Sequence, residues 1–168
     1  MIPTLTTNRL TLRAPQMQDF EAYAEFRATD RVKWQGGPNT RDESFDRFCS
    51  VIGMWHLRGF GPWLVADKET NTALGLVGLF YPEDWPEPEI TWGVFENGEG
   101  RGVAFEAAVE TRRYAYDVLK MPALVSLTMP QNERSRRLAQ RMGANHESDF
   151  HHPSIGLLNV WRHVPPNG

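Results

Sequence analysis

The segment from Glu89 to Met129 constrains the fold more than any other part of the sequence. Apolar and β-branched residues over Glu89–Phe95 predict a strand, and Gly98, Gly100 and Gly102 follow it in a short loop. After the loop, mostly apolar residues recur at helical spacing on one face, at Ala104, Ala107, Ala108, Thr111, Tyr114, Ala115 and Val118. Pro122 ends this helix, and Ala123–Met129 predicts another strand. A strand, loop, helix and strand in this order form a crossover, which predicts a parallel strand pair.

The flanking sequence predicts further helices and strands without internal repeats. Two more helices are expected, one from the cap Asp19 to about Thr29 and one with the capping box Thr40–Glu43 ahead of Phe45, Phe48, Ile52 and Trp55. Strands are expected around Leu10–Leu12, at Trp63–Asp67, at Leu74–Phe80 and at Ile155–Val164, and a helix capped by Asn132 is expected over Glu133–Met142. The strands from Trp63 to Phe95 predict an antiparallel meander. The expected fold is mixed α/β, in a single domain spanning residues 1–168.

Composition excludes several functional classes. The chain has 168 residues and a net charge of −3, so no overall positive field favours a nucleic-acid backbone. No apolar run approaches the roughly 20 residues that span a bilayer, so no membrane association is expected. Cys49 is the single cysteine and cannot form an internal disulfide; we expect a buried structural thiol there. Without a signal-peptide pattern, we expect a cytoplasmic protein.

The glycine loop can hold a phosphate group. A helix N-terminus presents unpaired N–H groups, and flanking glycines let phosphates approach the backbone, with the Arg101 side chain adding a cation. A Walker loop is excluded because the G-K-[ST] ending is absent, and the dinucleotide pattern fails because Val103 and Phe105 occupy the third glycine positions. From the loop alone, a simple connecting turn remains an alternative.

The residues Glu89-Ile90-Thr91-Trp92-Gly93-Val94-Phe95-Glu96-Asn97-Gly98-Glu99-Gly100-Arg101-Gly102-Val103-Ala104-Phe105-Glu106-Ala107 resemble, without gaps, the coenzyme A-binding segment of the RimJ/RimL-like branch of the GNAT (Gcn5-related N-acetyltransferase) family. Three further segments resemble that branch: its opening strand at Asn8–Arg13, its middle strand entry at Gly59–Trp63 and its N-x-x-S helix start at Asn132–Ser135. The resemblance covers residues 5 to about 148. It implies a mostly antiparallel twisted sheet with a central parallel pair, flanked by helices on both faces.

The resemblance also implies acetyl-CoA as the acyl donor, with no metal. In the family the pyrophosphate lies on the loop N–H groups, which here belong to Gly100, Arg101, Gly102, Val103 and Ala104. The pantetheine arm runs beside the preceding strand around Val94, and Asn132 and Ser135 are expected to contact the coenzyme. Glu99 departs from the family pattern, since it puts a carboxylate near the diphosphate position.

Two residues are candidates for catalysis. Transfer to an amine requires removal of a proton from the ammonium, donors for the oxyanion and an acid for the departing thiolate. We expect Glu89 to act as the base through water, with an exposed edge carboxylate as the alternative. Ser135 matches the family serine and is the candidate acid, with helix capping as its alternative. The family places the oxyanion donor on the backbone near Val94.

Other polar groups have weaker functional interpretations. His146, His151 and His152 lack a partner at metal-ligand spacing, so we expect a polar loop there and no metal. Arg134, Arg136, Arg137 and Arg141 form a basic helix that is either solvated or attracts the coenzyme ribose phosphate.

The sequence does not specify the acceptor or the oligomeric state. Glu83, Asp84, Glu87 and Glu89 with Trp85 and Trp92 would suit a cationic amine, either a small molecule or a peptide N-terminus. A homodimer is a family-level expectation, with Trp161 and the last strand at a pairing edge. The alternatives are a non-catalytic coenzyme A-binding sensor or scaffold, and an enzyme that uses another acyl donor such as succinyl-CoA.

Overall fold

The computed structural model describes residues 1–165 and contains one eight-stranded sheet. The strands are β1 (Leu5–Thr6), β2 (Leu10–Arg13), β3 (Pro62–Asp67), β4 (Ala73–Phe80), β5 (Glu89–Val94), β6 (Leu124–Thr128), β7 (Asn145–His152) and β8 (Gly156–His163). Their order is β1-β2-β3-β4-β5-β6-β8-β7. All neighbours are antiparallel except β5 and β6, which are parallel. The mixed sheet with one central parallel pair is confirmed.

Within the described residues, four α-helices flank the sheet: α1 (Phe20–Arg27), α2 (Arg41–Arg58), α3 (Val103–Asp117) and α4 (Glu133–Arg141). Short 3₁₀ segments lie at Met17–Asp19, Asp30–Gln35 and Glu96–Gly98. The predicted capping box opens α2, because the Thr40 hydroxyl accepts from the Glu43 N–H and the Glu43 carboxylate accepts from the Thr40 N–H. The predicted helices and the meander of β3, β4 and β5 are confirmed, with ends that differ by a few residues.

Two apolar clusters pack on opposite faces of the sheet. The larger cluster joins α3 to the sheet through residues such as Val77, Ile90, Val103 and Ala107, all almost fully buried. The other cluster joins α1 and α2 to the sheet through Phe20, Tyr23, Phe26, Phe48, Leu76 and Phe95. Because side chains alternate along a strand, Glu89 and Gly93 of β5 face α1 and α2, whereas Ile90 and Trp92 face α3 and α4.

Three sequence predictions about local structure are wrong. The polar segment containing His146, His151 and His152 is not a loop but the edge strand β7. Because both faces of β7 are mostly exposed, its sequence lacks the alternation of apolar and polar residues from which strands are predicted. The strand forms through its backbone pairing with β8. The last strand, β8, lies between β6 and β7 and is not an edge. Cys49 is exposed on α2 and is not a buried thiol. The single-domain extent of 1–168 stays a prediction, and residues 166–168 lie outside the described range.

A buried histidine links β8 to the parallel pair. Ser126 of β6 donates to the carbonyl of Ile90 (2.7 Å), and its oxygen lies 2.9 Å from Nε2 of His163, so His163 donates to Ser126. Burial, reinforced by Arg112 and Arg162, lowers the pKa of His163 from 6.5 to about 3. The unfolded chain therefore binds more protons than the folded protein between these two values, and stability rises with pH across that window.

We expect His163→Gln to flatten this pH dependence. The native protein should lose about 2 kcal/mol more of its unfolding free energy than the variant when the pH falls from 7 to 4.5, because only the native chain carries the depressed histidine. Urea unfolding at both pH values measures the difference. Equal losses in the two proteins would contradict the assignment.

Candidate functional site

The parallel pair opens into a cleft directly after its first contacts. Strands β5 and β6 share one register pair, Glu89 with Val125, and the Val125 N–H donates to the Pro88 carbonyl (3.2 Å). Further along β5, the Trp92 carbonyl accepts instead from the Gln35 side chain (3.1 Å), which belongs to the 3₁₀ segment after α1. A cavity of about 520 Å³ lies in this region, between the diverging strands and the α1–α2 side of the sheet.

Glu89 lies at the point where the strands separate. The residue is only 6% exposed. Its Oε2 accepts a hydrogen bond from the Leu127 N–H (3.0 Å), a group that would donate to a β5 carbonyl if the strands stayed paired. Burial raises the pKa of Glu89 from 4.5 to about 7, against the opposing effects of the Leu127 N–H and of Trp85. The Trp85 indole nitrogen is close enough to lower this pKa, yet it makes no hydrogen bond of ordinary geometry. Glu89 is therefore a buried cavity carboxyl that titrates near neutral pH, not an exposed edge residue.

Ser135 lies across the cleft from β5. Its hydroxyl oxygen accepts from the Trp92 indole N–H (3.1 Å), and its backbone N–H donates to the Asn132 side chain (3.3 Å). Asn132 thus caps α4, as expected, and both residues line the cavity. Since Trp92 occupies a lone pair and not the hydroxyl proton, Ser135 keeps a proton that it can donate.

Backbone geometry directs one amide of β5 into the cleft. The Phe95 N–H donates to the Leu74 carbonyl of β4 (2.8 Å). Because successive N–H groups of a strand point to opposite sides, the Val94 N–H points to the edge facing the diverging β6. An amide at this edge can donate to a carbonyl oxygen held in the cleft.

The glycine loop leaves its backbone accessible. Gly100 (φ 70°) and Gly102 (φ 75°) have left-handed conformations, and a Cβ at Gly100 would meet no atom within 4 Å. Gly102 is the N-cap of α3, so the N–H groups of Val103 and Ala104 belong to the first turn. This open N-terminus of a 15-residue helix fits a diphosphate. The Arg101 guanidinium, half exposed, donates to the Asn97 carbonyl (3.1 Å) and lies 3.5 Å from Asp67.

Glu99, the unusual acid at the loop entrance, is held by two arginines. Its Oε1 lies 3.0 Å from Arg134 of α4 and 3.4 Å from Arg31 of the 3₁₀ segment. The Glu99 carboxylate therefore forms ion pairs with two cations that lie beside the loop. The remaining arginines of α4 have local partners: Arg136 donates to Pro130, Arg137 pairs with Glu133, and Arg141 stacks on Phe105.

Two of the clustered histidines, His146 and His152, form hydrogen bonds with acids. His152 is buried and donates to Asp84 (2.8 Å), while its Nδ1 accepts from the N–H groups of Ser154 and Ile155. His146 pairs with Asp149. Within residues 1–165, no three metal-binding side chains come together, and no helix is long and apolar enough to cross a bilayer.

Sequence reasoning missed the cationic wall of the cavity. Arg27, Lys33 and Arg47 line it from α1, the 3₁₀ segment and α2. In the sequence, Lys33 and Arg47 are single basic residues in polar surroundings, a pattern that ordinarily indicates solvation. Arg27 instead falls at helical spacing from Phe20, Tyr23 and Ala24, and this position on an apolar face is a signal that could have identified it. Of the four acids expected on the acceptor side, only Glu89 lines the cavity within the described residues, since Glu83, Asp84 and Glu87 pair with Arg58, His152 and Arg162.

The sequence matches a protein-family model that agrees with the separated parallel strands and the open glycine loop at a helix N-terminus. This family model, described as an acetyltransferase (GNAT) domain, matches residues 9–145. The chain belongs to the GNAT acetyltransferase family, and it is an acyl-CoA-dependent acetyltransferase.

Individual relatives agree with this placement. A crystal structure of an acetyltransferase from Agrobacterium tumefaciens str. C58 is 38% identical, with a TM-score of 0.90 over 98% of this chain and 95% of that one. YoaA of Bacillus subtilis (strain 168), an uncharacterized N-acetyltransferase, is 27% identical over 88% of this chain and 85% of its own length. A structure of RimL, a ribosomal α-N-protein acetyltransferase in complex with coenzyme A, shares the fold at 16% identity, with a TM-score of 0.75 over 96% and 98% of the two chains.

We expect Glu89→Gln to lower activity and raise stability at high pH. The loss of a base should reduce kcat/KM by about 10²-fold or more and remove an ascending limb near pH 7 from the pH–rate profile.

The stability prediction follows from the raised pKa of Glu89 in the folded protein. The folded protein binds more protons than the unfolded chain between pH 4.5 and 7, so this carboxyl destabilises the fold as pH rises through that window. The variant should gain about 1–3 kcal/mol relative to the native protein above pH 7.

Glu87→Gln is the matched control for Glu89→Gln. It neutralises a neighbouring carboxylate that pairs with Arg162 and does not line the cavity. The control should keep the native pH–rate profile. An unchanged profile in Glu89→Gln, measured by thiol release, would exclude Glu89 as the base.

We expect Glu99→Gln to strengthen coenzyme binding. Removing this carboxylate lowers the negative charge beside the loop and frees Arg31 and Arg134 for phosphates, so the Kd of coenzyme A should fall about three- to tenfold. Isothermal titration calorimetry measures this change. Glu110→Gln is the control, because this carboxylate pairs with Arg113 about two helical turns from the start of α3. Weaker binding in Glu99→Gln would mean that the carboxylate positions the arginines for the coenzyme.

Proposed function

We propose that the chain is an N-acetyltransferase that transfers the acetyl group of acetyl-CoA to the primary amine of a small molecule or a peptide N-terminus. In this proposal the amine attacks the donor directly in a ternary complex. Glu89 carries the proposal: a buried carboxyl with a pKa of about 7, at the apex of a cleft, is suited to take a proton from an ammonium at neutral pH.

The donor would be held by Gly100, Arg101, Gly102, Val103 and Ala104 at its diphosphate, and by the backbone around Val94 and the Asn132–Ser135 turn along its arm. The accessible loop backbone and the side chains lining the cleft support this assignment. Bound acetyl-CoA supplies an acyl group activated as a thioester, so the protein needs no covalent nucleophile.

The chain's own groups would then perform three tasks. Glu89 accepts the proton of the acceptor ammonium, directly or through one water molecule. The Val94 N–H stabilises negative charge on the carbonyl oxygen. Ser135, whose oxygen already accepts from Trp92, passes its proton to the leaving sulfur and takes up the second proton that the attacking nitrogen loses when the C–S bond breaks.

A non-catalytic coenzyme A-binding sensor or scaffold is the second candidate. Its specific support is Glu99, a carboxylate beside the loop that opposes a diphosphate. A homodimer, a cytoplasmic location and the acyl-chain preference, including succinyl-CoA, remain predictions.

Steady-state kinetics test the proposed mechanism. With acetyl-CoA and a broad panel of primary amines, thiol release should require the amine, and double-reciprocal plots should intersect because both substrates are bound together. Mass spectrometry of the protein after acetyl-CoA alone should detect no acetyl-enzyme. Cys49→Ala should keep native kcat/KM, since the exposed Cys49 does not line the cavity.

Two outcomes would contradict the proposal. Parallel plots with an acetylated protein would indicate a covalent route. Coenzyme binding, seen as a thermal shift, without thiol release from any amine would favour the sensor or scaffold.

A further inference from the structure

The cavity contains an excess of positive charge although the chain as a whole is acidic. Arg27, Lys33 and Arg47 line it, whereas Glu89 is its one acid among the described residues. The net charge of the chain is −3, so the cationic cavity is a local feature and not a reflection of overall composition.

Arg27 is buried without a carboxylate partner. Its residue is 4% exposed, and its guanidinium donates to the Asn39 side chain and to the Gln35 carbonyl (3.1 Å). Its contact with the Gln35 side-chain oxygen is long, at 3.5 Å. Within residues 1–165, no acidic oxygen lies within 4 Å of the guanidinium, and the charged side chain that acts on it is another cation, Arg47. A buried cation held by neutral groups alone leaves charge uncompensated.

Arg47 and Lys33 add exposed cations to the same wall. The Arg47 guanidinium lies over Gly36, 3.5 Å from its carbonyl oxygen, and Lys33 lies 5.0 Å from the centroid of the Trp34 ring. Glu43 acts on Arg47 electrostatically, but its carboxylate accepts from the Thr40 N–H (2.8 Å) as part of the α2 cap. The wall therefore retains donors for an anion.

The cations and the proposed base lie at different levels of β5. Gln35, which contacts Arg27, also reaches Trp92 and lies close to Gly93, whereas Glu89 is four residues earlier on the strand. Four residues of strand span roughly 13 Å. Near Glu89 the cavity is lined instead by Phe80 and Trp85. A bound molecule would therefore meet an acid-base group at one level and a cationic wall at another.

We infer that the acceptor is a small amine that also carries an anionic group, held by Arg27, Arg47 and Lys33 while its amine faces the Glu89 side of the cleft. This inference rests on the proposed function and names its substrate class. Carboxylate and phosphate share the required chemistry, since each accepts charge-assisted hydrogen bonds from guanidinium groups.

Matched acceptor pairs test the inference. Aminocarboxylates with one to five methylene groups between the two ends are compared with their carboxamides, and 2-aminoethyl phosphate is compared with ethanolamine. At the best spacing, the anionic member should have a kcat/KM at least about tenfold higher than its neutral partner. The phosphate pair distinguishes a phosphate from a carboxylate preference.

Arg47→Gln is the main variant, because Arg47 is exposed and makes only a long contact within the fold, whereas removal of Arg27 would also disturb Asn39 and Gln35. It should reduce the anion-to-neutral ratio at least about threefold. Arg41→Gln is the control: it neutralises a cation on the same helix that pairs with Glu21 and does not line the cavity, and it should keep the native ratio.

Three results would overturn the inference: neutral amines used as well as anionic ones, equal ratios in the Arg47→Gln and Arg41→Gln proteins, or a weakened acetyl-CoA Kd in Arg47→Gln alone. The last result would assign the cations to the donor. If no amine releases thiol, the proposed function fails separately. In that case, isothermal titration calorimetry with coenzyme A-bound protein still tests the anion site. The Kd of the aminocarboxylate should be lower than the Kd of its carboxamide.

Discussion

The hydrogen bond from the Leu127 N–H to the Glu89 carboxylate is the contact on which the site depends. Parallel strands that paired along their full length would close the cleft, and strands that separated without compensation would leave a buried N–H unsatisfied. Here a side chain replaces the missing backbone acceptor at the point of separation. The same carboxyl is thereby buried, and its burial moves the pKa toward neutrality. The opening of the sheet and the chemistry available at that opening thus have a common origin.

The two faces of the opened sheet have different electrostatic properties. On the α3 side, a helix N-terminus and accessible loop amides favour phosphate, although Glu99 partly offsets this by engaging Arg31 and Arg134. On the α1–α2 side, three side-chain cations face a cavity with one acid among the described residues. Each of the two reactants can therefore be attracted by a separate set of groups, which favours their simultaneous binding.

The sequence predicted the scaffold better than the site. Periodicity and capping located the four helices, and the crossover from β5 to β6 required a parallel pair, because these features are local. Edge strand β7 was missed, since its exposed residues do not alternate. Glu89 was identified as a candidate, but its burial could not be read from the sequence. It depends on Leu127, which is distant along the chain, and on the conformation of the loop that brings Trp85 to it. The cationic wall was missed for the same reason: Arg27, Lys33 and Arg47 come from three separate elements.

His152, the last residue of β7, bonds to Asp84 and thereby joins the turn between β7 and β8 to the loop between β4 and β5, both of which border the cavity. His152 also orders the turn at Ser154 and Ile155, and Trp85 beside Asp84 packs near its ring, at 5.4 Å between centroids. A rim tied in this way loses little conformational entropy when a molecule enters. Both loops lie outside the glycine-loop region, so changes in their length or sequence would alter the shape of the entrance while the donor half stayed intact. The rim is therefore the region where related proteins can diverge in specificity at least cost to the shared chemistry.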